Sequence, residues 1–274
     1  MPTRALLASP LGFLIGLSLG ALGGGGSILA VPVLVYVAGQ DVRDATTSSL
    51  VLVGLASLIG TVPHWRAGRV RLGTGLVFGC VGVGGSLAGS ALNRRLDPDV
   101  LLLGFSALVL VAAWRMLTAC PTCTKVGEEQ ELRLAPAPDG RWVRTRTPLT
   151  AGRVALVVAA GSAVGFLTGL FGVGGGFVIV PALTLVLKMP MPEAIGTSLV
   201  VITVNTTVAL AARLATSSID WAVTLPFAVA AIAGVLVGGR VADRLDPERS
   251  LRAFAALLVA VAIYTATSAI VALV

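Results

Sequence analysis

Two glycine runs and two hydroxyl clusters carry the chemistry that this sequence offers. Gly23, Gly24, Gly25, Gly26 and Ser27 form the first run, and Gly172, Gly174, Gly175 and Gly176 form the second. Each run lies inside an apolar stretch. A helix broken at membrane depth exposes N–H and C=O groups that hydrocarbon cannot satisfy, so such a break persists where it lines a polar cavity. The helix that follows the break points free N–H groups and a partial positive charge into that cavity. Two breaks facing each other near the midplane would hold an anion with no buried cation. The alternative is close helix crossing through small residues, a pattern that Gly16 with Gly20 and Gly165 with Gly169 also satisfy. Contiguous glycines with a proline downstream favour the break.

The hydroxyl clusters are Thr46-Thr47-Ser48-Ser49-Leu50 and Ile195-Gly196-Thr197-Ser198-Leu199. Ser48, Ser49, Thr197 and Ser198 can donate to an oxyanion while staying neutral, which suits a site that must release its cargo. Their other use is to cap the starts of their own helices. Asn205, whose counterpart is Ala56, places an amide within an apolar span, where it lines a path or bonds a neighbouring helix. Ser57 and Thr206 also correspond. His64 and Arg213 hold equivalent places at the ends of two segments, as vestibule cations for an anion or as headgroup anchors. No carboxylate falls in the middle of a span. Any coupling proton would therefore travel with the cargo or through His64.

These residues correspond because the chain is written twice. Gly20-Ala-Leu-Gly23-Gly24-Gly25-Gly26-Ser27 with Pro32 and Leu34 returns as Gly169-Leu-Phe-Gly172-Val-Gly174-Gly175-Gly176 with Pro181 and Leu183. The offset of 169 − 20 = 149 still holds at Asp97-Pro98 and Asp246-Pro247. A duplication built on glycine-broken apolar segments is a transporter pattern. Composition agrees: 56% of the 274 residues are hydrophobic, 12% are charged, and mean hydropathy is +0.95. A soluble domain carries about twice that charge fraction.

Apolar segments run about 5–21, 27–39, 45–63, 72–92 and 99–118, then about 152–170, 177–187, 194–212, 221–240 and 250–273. Many approach the ~20 residues that cross a bilayer. The expected organisation is a first transmembrane repeat over 1–118, a polar linker over 119–150 and a second repeat over 151–274. The fold class expected is an all-α polytopic membrane protein. Each repeat contains a glycine-broken helix pair and three spanning helices. The first segment lacks a cleavage site and reads as retained structure. Asp44 and Glu193 open their segments as helix-start acids, and Pro98 and Pro247 suit a first helical position.

If each broken pair gives odd parity, one face collects His64, Arg66, Arg69, Arg71, Lys188, Arg240, Arg244, Arg249, Arg252 and most of the linker. The other face keeps Arg4, Arg43, Arg94, Arg95 and Arg213. The positive-inside bias therefore favours inverted repeats with both termini outside. The net charge of +7 lies in these short loops without interleaved aromatics, which argues against nucleic-acid binding. Cys80 lies in a span and reads as packing. Cys120 and Cys123 form one C-x-x-C in the linker with no second ligand pair. No metal site, catalytic residue or cofactor is expected. No phosphate loop for ATP is present either.

The two copies of G-x-x-G-x-G-G-[GS]-x(4)-P-x-L, with Ser48-Ser49-Leu50-Val51 and Thr197-Ser198-Leu199-Val200, resemble the sulfite exporter TauE/SafE family of membrane permeases. The resemblance implies transport of sulfite, sulfonates or related sulfur-containing anions, and it leaves the particular cargo open. The first copy departs at Ser27, where the second has Gly176. The expected function is a permease in a prokaryotic plasma membrane. It would carry a small oxyanion, sulfur-containing, by alternating access. An anion channel and a carrier of non-sulfur carboxylates are the alternatives. Its partners would be the anion and the lipid bilayer; the sequence is compatible with a homo-oligomer.

Overall fold

The computed structural model describes residues 2–24, 26–40, 42–93, 98–119, 134–136, 142–144, 151–171, 176–213, 219, 221–244, 252–260 and 262–263. The first half contains α1 (Pro2–Leu22), α2 (Gly26–Tyr36), α3 (Val42–Arg66), α4 (Leu72–Asn93) and α5 (Pro98–Ala119). A two-stranded antiparallel ribbon follows, β1 (Leu134–Pro136) against β2 (Trp142–Arg144). The second half contains α6 (Ala151–Phe171), α7 (Gly176–Pro181), α8 (Met191–Arg213), α9 (Trp221–Arg244) and α10 (252–260). Among the described residues the secondary structure is therefore helical except for that small ribbon, which the hydropathy of the linker does not announce. Gly25, Gly172, Gly174, Gly175, Cys120, Cys123, Asp97 and Asp246 lie outside the described residues.

Helix boundaries follow local chemistry. Pro98 is the first residue of α5, where its missing N–H leaves no intrahelical bond unmade. Asp44 and Glu193 sit within the first turns of α3 and α8, near the positive end of each helix. After Pro181 the chain widens into a π-helix over Ala182–Val186. The Thr184 hydroxyl donates to the Val180 and Pro181 carbonyls at 3.0 and 3.2 Å, satisfying acceptors that the widening disturbs. At the matching place in α2 stands Val35, and α2 stays α-helical to Tyr36.

Among the described residues, four helices are long and apolar enough to cross a membrane, within α3, α4, α8 and α9. The apolar cores of α3 and α8 are 56% buried against 28% for α4, so α3 and α8 form the centre. They pack antiparallel: Gly54 faces Thr206, Gly60 faces Leu199, and His64 faces Gly196. Leu52, Ala56, Leu199 and Ile202 are almost wholly buried there. By contrast α3 and α9 run parallel, with Gly60 against Val235 and His64 against Gly239. Likewise α4 and α8 run parallel, with Gly75 against Val200 and Gly79 against Val204.

Two glycine seams join the halves crosswise. On α1, Gly16 and Gly20 lie against the Ala231 and Val235 backbone of α9, where a methyl group would collide. On α6, Gly165 and Gly169 meet the Gly82 and Ser86 backbone of α4 in the same way. The second seam is the first moved by 149 residues: 16 + 149 = 165, and 231 − 149 = 82. Small residues bring backbones close enough for dense van der Waals contact, which drives helix association where no hydrophobic effect operates.

The outer surface is apolar. Leu14, Leu58, Leu87, Trp114, Leu225 and Val229 are each more than half exposed. Such a girdle suits lipid, not water. Cys80 belongs to this outer face of α4, not to the packed interior expected for it. Trp65 closes α3 and Trp221 opens α9, both exposed. With α3 and α9 parallel, the two indoles are separated by roughly 19 residues, or ~28 Å, close to a ~30 Å hydrocarbon core.

Candidate functional site: two helix starts in contact

The described parts of the two glycine runs meet. Gly24 packs directly on the Gly176 carbonyl group, and a Cβ on Gly176 would lie 2.5 Å from Ser27 Oγ. Because Gly26–Ser27 opens α2 and Gly176 opens α7, two helix starts abut. Their partial positive ends lie close together, an arrangement that an anion would relieve. Gly23 makes the turn possible. Its φ of 77° lies in the left-handed region, and a Cβ there would stand 2.7 Å from both Ile195 Cα and Ser198 Oγ.

Local hydrogen bonds fix this node. Ser27 Oγ donates to the Gly24 carbonyl at 2.8 Å. The Ser198 hydroxyl reaches two carbonyls, Ile195 at 2.7 Å and Gly23 across the halves. Thus Gly23, Gly24, Gly26, Ser27, Gly176 and Ser198 form one cluster.

Ser48, Ser49 and Thr197 stand apart from it in different ways. Ser49 Oγ donates to the Thr46 carbonyl of its own helix at 2.8 Å. Ser48 is fully buried and is bonded by Thr224 of α9, with the two hydroxyl oxygens 2.9 Å apart. Thr197, also fully buried, accepts the Arg71 backbone N–H at 3.1 Å. Because α3 and α8 are antiparallel, Thr197 lies level with about residue 63 of α3. It is therefore roughly 15 residues, or ~22 Å, along the axis from Ser48. The two hydroxyl clusters occupy opposite ends of the central pair.

Asn205 projects towards Gly82 on α4. Its Oδ1 is buried and has no hydrogen-bond partner among the described residues, and the same holds for Ser57 Oγ. His64 is 2% exposed, its Nε2 lying 3.4 Å from the Gly20 carbonyl, so it is enclosed and does not reach the headgroups. Beside it, Arg71 Nε pairs with Glu193 Oε2 at 2.5 Å, joining the start of α4 to the start of α8. Thr224 and Gln40 escaped sequence reasoning. Thr224 corresponds to Gly75 and Gln40 to Met189, so matching the two halves passes over both.

Apolar spans, a lipid-facing girdle and broken helices meeting inside the molecule define a polytopic membrane protein of the transporter class. The family model described as sulfite exporter TauE/SafE matches residues 8–265, and the chain belongs to that family. A "Probable membrane transporter protein" of Xylella fastidiosa strain Temecula1 is 32% identical over 256 residues, covering 92% of this chain and 91% of the relative. "Probable membrane transporter protein YunE" of Bacillus subtilis is 27% identical over 251 residues, covering 88% and 85%. No solved structure matches the chain.

Proposed function

We propose that this protein is a permease of the prokaryotic cell membrane that moves a small sulfur-containing oxyanion by alternating access between two inverted halves. One observation carries the reading: the starts of α2 and α7 meet at Gly24, Ser27 and Gly176 inside the membrane body. Two helix N-termini in contact repel each other and are stabilised by negative charge between them. Their donors are neutral, so the anion is held without an ion pair that would resist release. Unwound backbone at this depth is tolerated because it serves such a site.

Several contacts support the inverted arrangement. The seams α1–α9 and α4–α6 are equivalent under the offset of 149, and the corresponding helices α3 and α8 run antiparallel. The charge bias of the loops orients the Arg71–Glu193 end towards the cytoplasm. Sulfur chemistry is suggested by the family description, and the node supports the anion class more broadly.

Counterflow of radiolabelled sulfite in proteoliposomes, with sulfate, taurine and acetate as competitors, tests the proposal. Saturable uptake, competed by sulfur oxyanions and abolished by Gly176→Ala, is the expected result. A Cβ at residue 176 would occupy the space beside Ser27 Oγ. Uptake that never saturates would replace the carrier with a channel. Uptake competed only by acetate would withdraw the sulfur assignment.

A further inference from the structure

We propose that Thr224 belongs to the anion path: with Ser48 it forms a donor station near one mouth, and Thr197 forms its counterpart near the other. This rests on the permease reading and adds residues that meet the anion beside the helix-start cluster and at the far end of the central helix pair.

The argument is a count of protons. Ser48 and Thr224 carry two hydroxyl protons and share one hydrogen bond, with their oxygens 2.9 Å apart. One proton is left over whichever residue donates, and neither makes a further hydrogen bond among the described residues. Both side chains are at most 1% exposed, so water does not reach the spare proton in this state. A buried donor without an acceptor is costly, and that cost is removed by an acceptor that arrives there.

Thr197 repeats the pattern by other means. Its Oγ1 accepts the Arg71 N–H at 3.1 Å, leaving its own proton with no acceptor among the described residues. The neighbouring hydroxyls behave differently: Ser49 donates to the Thr46 carbonyl, and Ser198 donates to Ile195 and Gly23. So in each pair of adjacent hydroxyls the first retains a proton and the second does not. Positions 48 and 197 differ by the same 149 that relates the halves.

The stations are unequal. Thr224 supplies a second hydroxyl to Ser48, whereas its counterpart Gly75 brings no polar group to Thr197. Each station lies near an end of α3–α8, just inside the level of Trp221 or Trp65. At the Ser48–Thr224 end an oxygen-rich anion meets hydroxyl donors before it reaches the helix starts; at the other end Thr197 stands next to Ser198, which bonds the Gly23 carbonyl, so donors and helix starts are met together. Both stations are occluded in this structure.

Radiolabelled sulfite, taurine and acetate are each offered to proteoliposomes of the full chain, and the anion that the wild type carries is used for the variants. Thr224→Val should raise KM about tenfold or more while the maximal rate changes little, the loss of a hydrogen bond to a charged group. Thr197→Val should act alike, and Thr224→Ser should restore the wild-type KM. An unchanged KM in Thr224→Val overturns the proposal and leaves the permease reading standing. No saturable flux of any of these anions by the wild type overturns both. If Thr224→Val does not fold, Thr224→Cys treated with an anionic methanethiosulfonate decides. Labelling slowed by the transported anion is expected; absent labelling, or labelling the anion does not slow, overturns the proposal.

Discussion

Gln40 and Met189 hold the same place in equivalent turns under opposite energetics. Gln40 N–H bonds the Leu34 carbonyl at 3.1 Å and Met189 N–H bonds the Leu183 carbonyl at 3.0 Å. Met189 is an apolar side chain packed into the core at 3% exposure. Both amide atoms of Gln40 are buried with no partner among the described residues. Replacing an unsatisfied buried amide by an unbranched apolar chain of similar length removes a desolvation cost of about 1–3 kcal/mol. Gln40→Met is therefore expected to raise the unfolding temperature in detergent by several degrees, measurable by thermal denaturation of the purified protein. A lower temperature would mean that the Gln40 amide is hydrogen-bonded in the folded protein. Asn205 differs, because its counterpart Ala56 is much smaller and packs with no exposure at all.

At the scale of elements, the turns after α2 and after the π-helix place Gly39 and Lys188 in the same left-handed conformation, at φ 73° and 50°. A lysine there costs roughly 1–2 kcal/mol relative to ordinary backbone, while glycine loses about 0.5–1 kcal/mol more entropy on folding. The steric term is larger. Lys188→Gly should stabilise the protein slightly, by ~0.5 kcal/mol, and Gly39→Lys should destabilise it by a similar amount. Thermal shifts of opposite sign in the two variants would check this. Element boundaries were largely legible in advance: apolar run length and Pro98 mark α3, α4 and α5 to within a few residues of their ends. The break after α1 was legible because contiguous glycine is hard to reconcile with an unbroken span. What could not be read was which helix lies beside which. Gly16 and Gly20 announce a close crossing, but any smooth apolar helix would satisfy them; only the three-dimensional packing selects α9. No sequence signal marks the π-helix in which Thr184 bonds the Val180 carbonyl, and Thr224 had no hydroxyl counterpart to draw attention to it.

For the whole molecule, the crosswise seams mean that neither half is complete alone. The lead helix of each half is clasped by the fourth helix of the other, α1 by α9 and α6 by α4. Across that division also run Arg71–Glu193, Thr224–Ser48 and Ser198 to the Gly23 carbonyl. A chain cut within 119–150 should therefore reassemble when its two pieces are made together, and should restore the transport activity of the intact protein. Co-purification of one tagged piece with the other checks this. Stable, monomeric accumulation of either piece by itself would contradict it. The exchange also sets a timetable for biosynthesis. Gly16 emerges from the ribosome 231 − 16 = 215 residues before Ala231, against which it packs. At translation rates of about 5–20 residues per second that interval is about 10–40 s. During that time α1 waits in the bilayer with its glycine face uncovered, and the insertion machinery or passing lipids must shield it until α9 arrives.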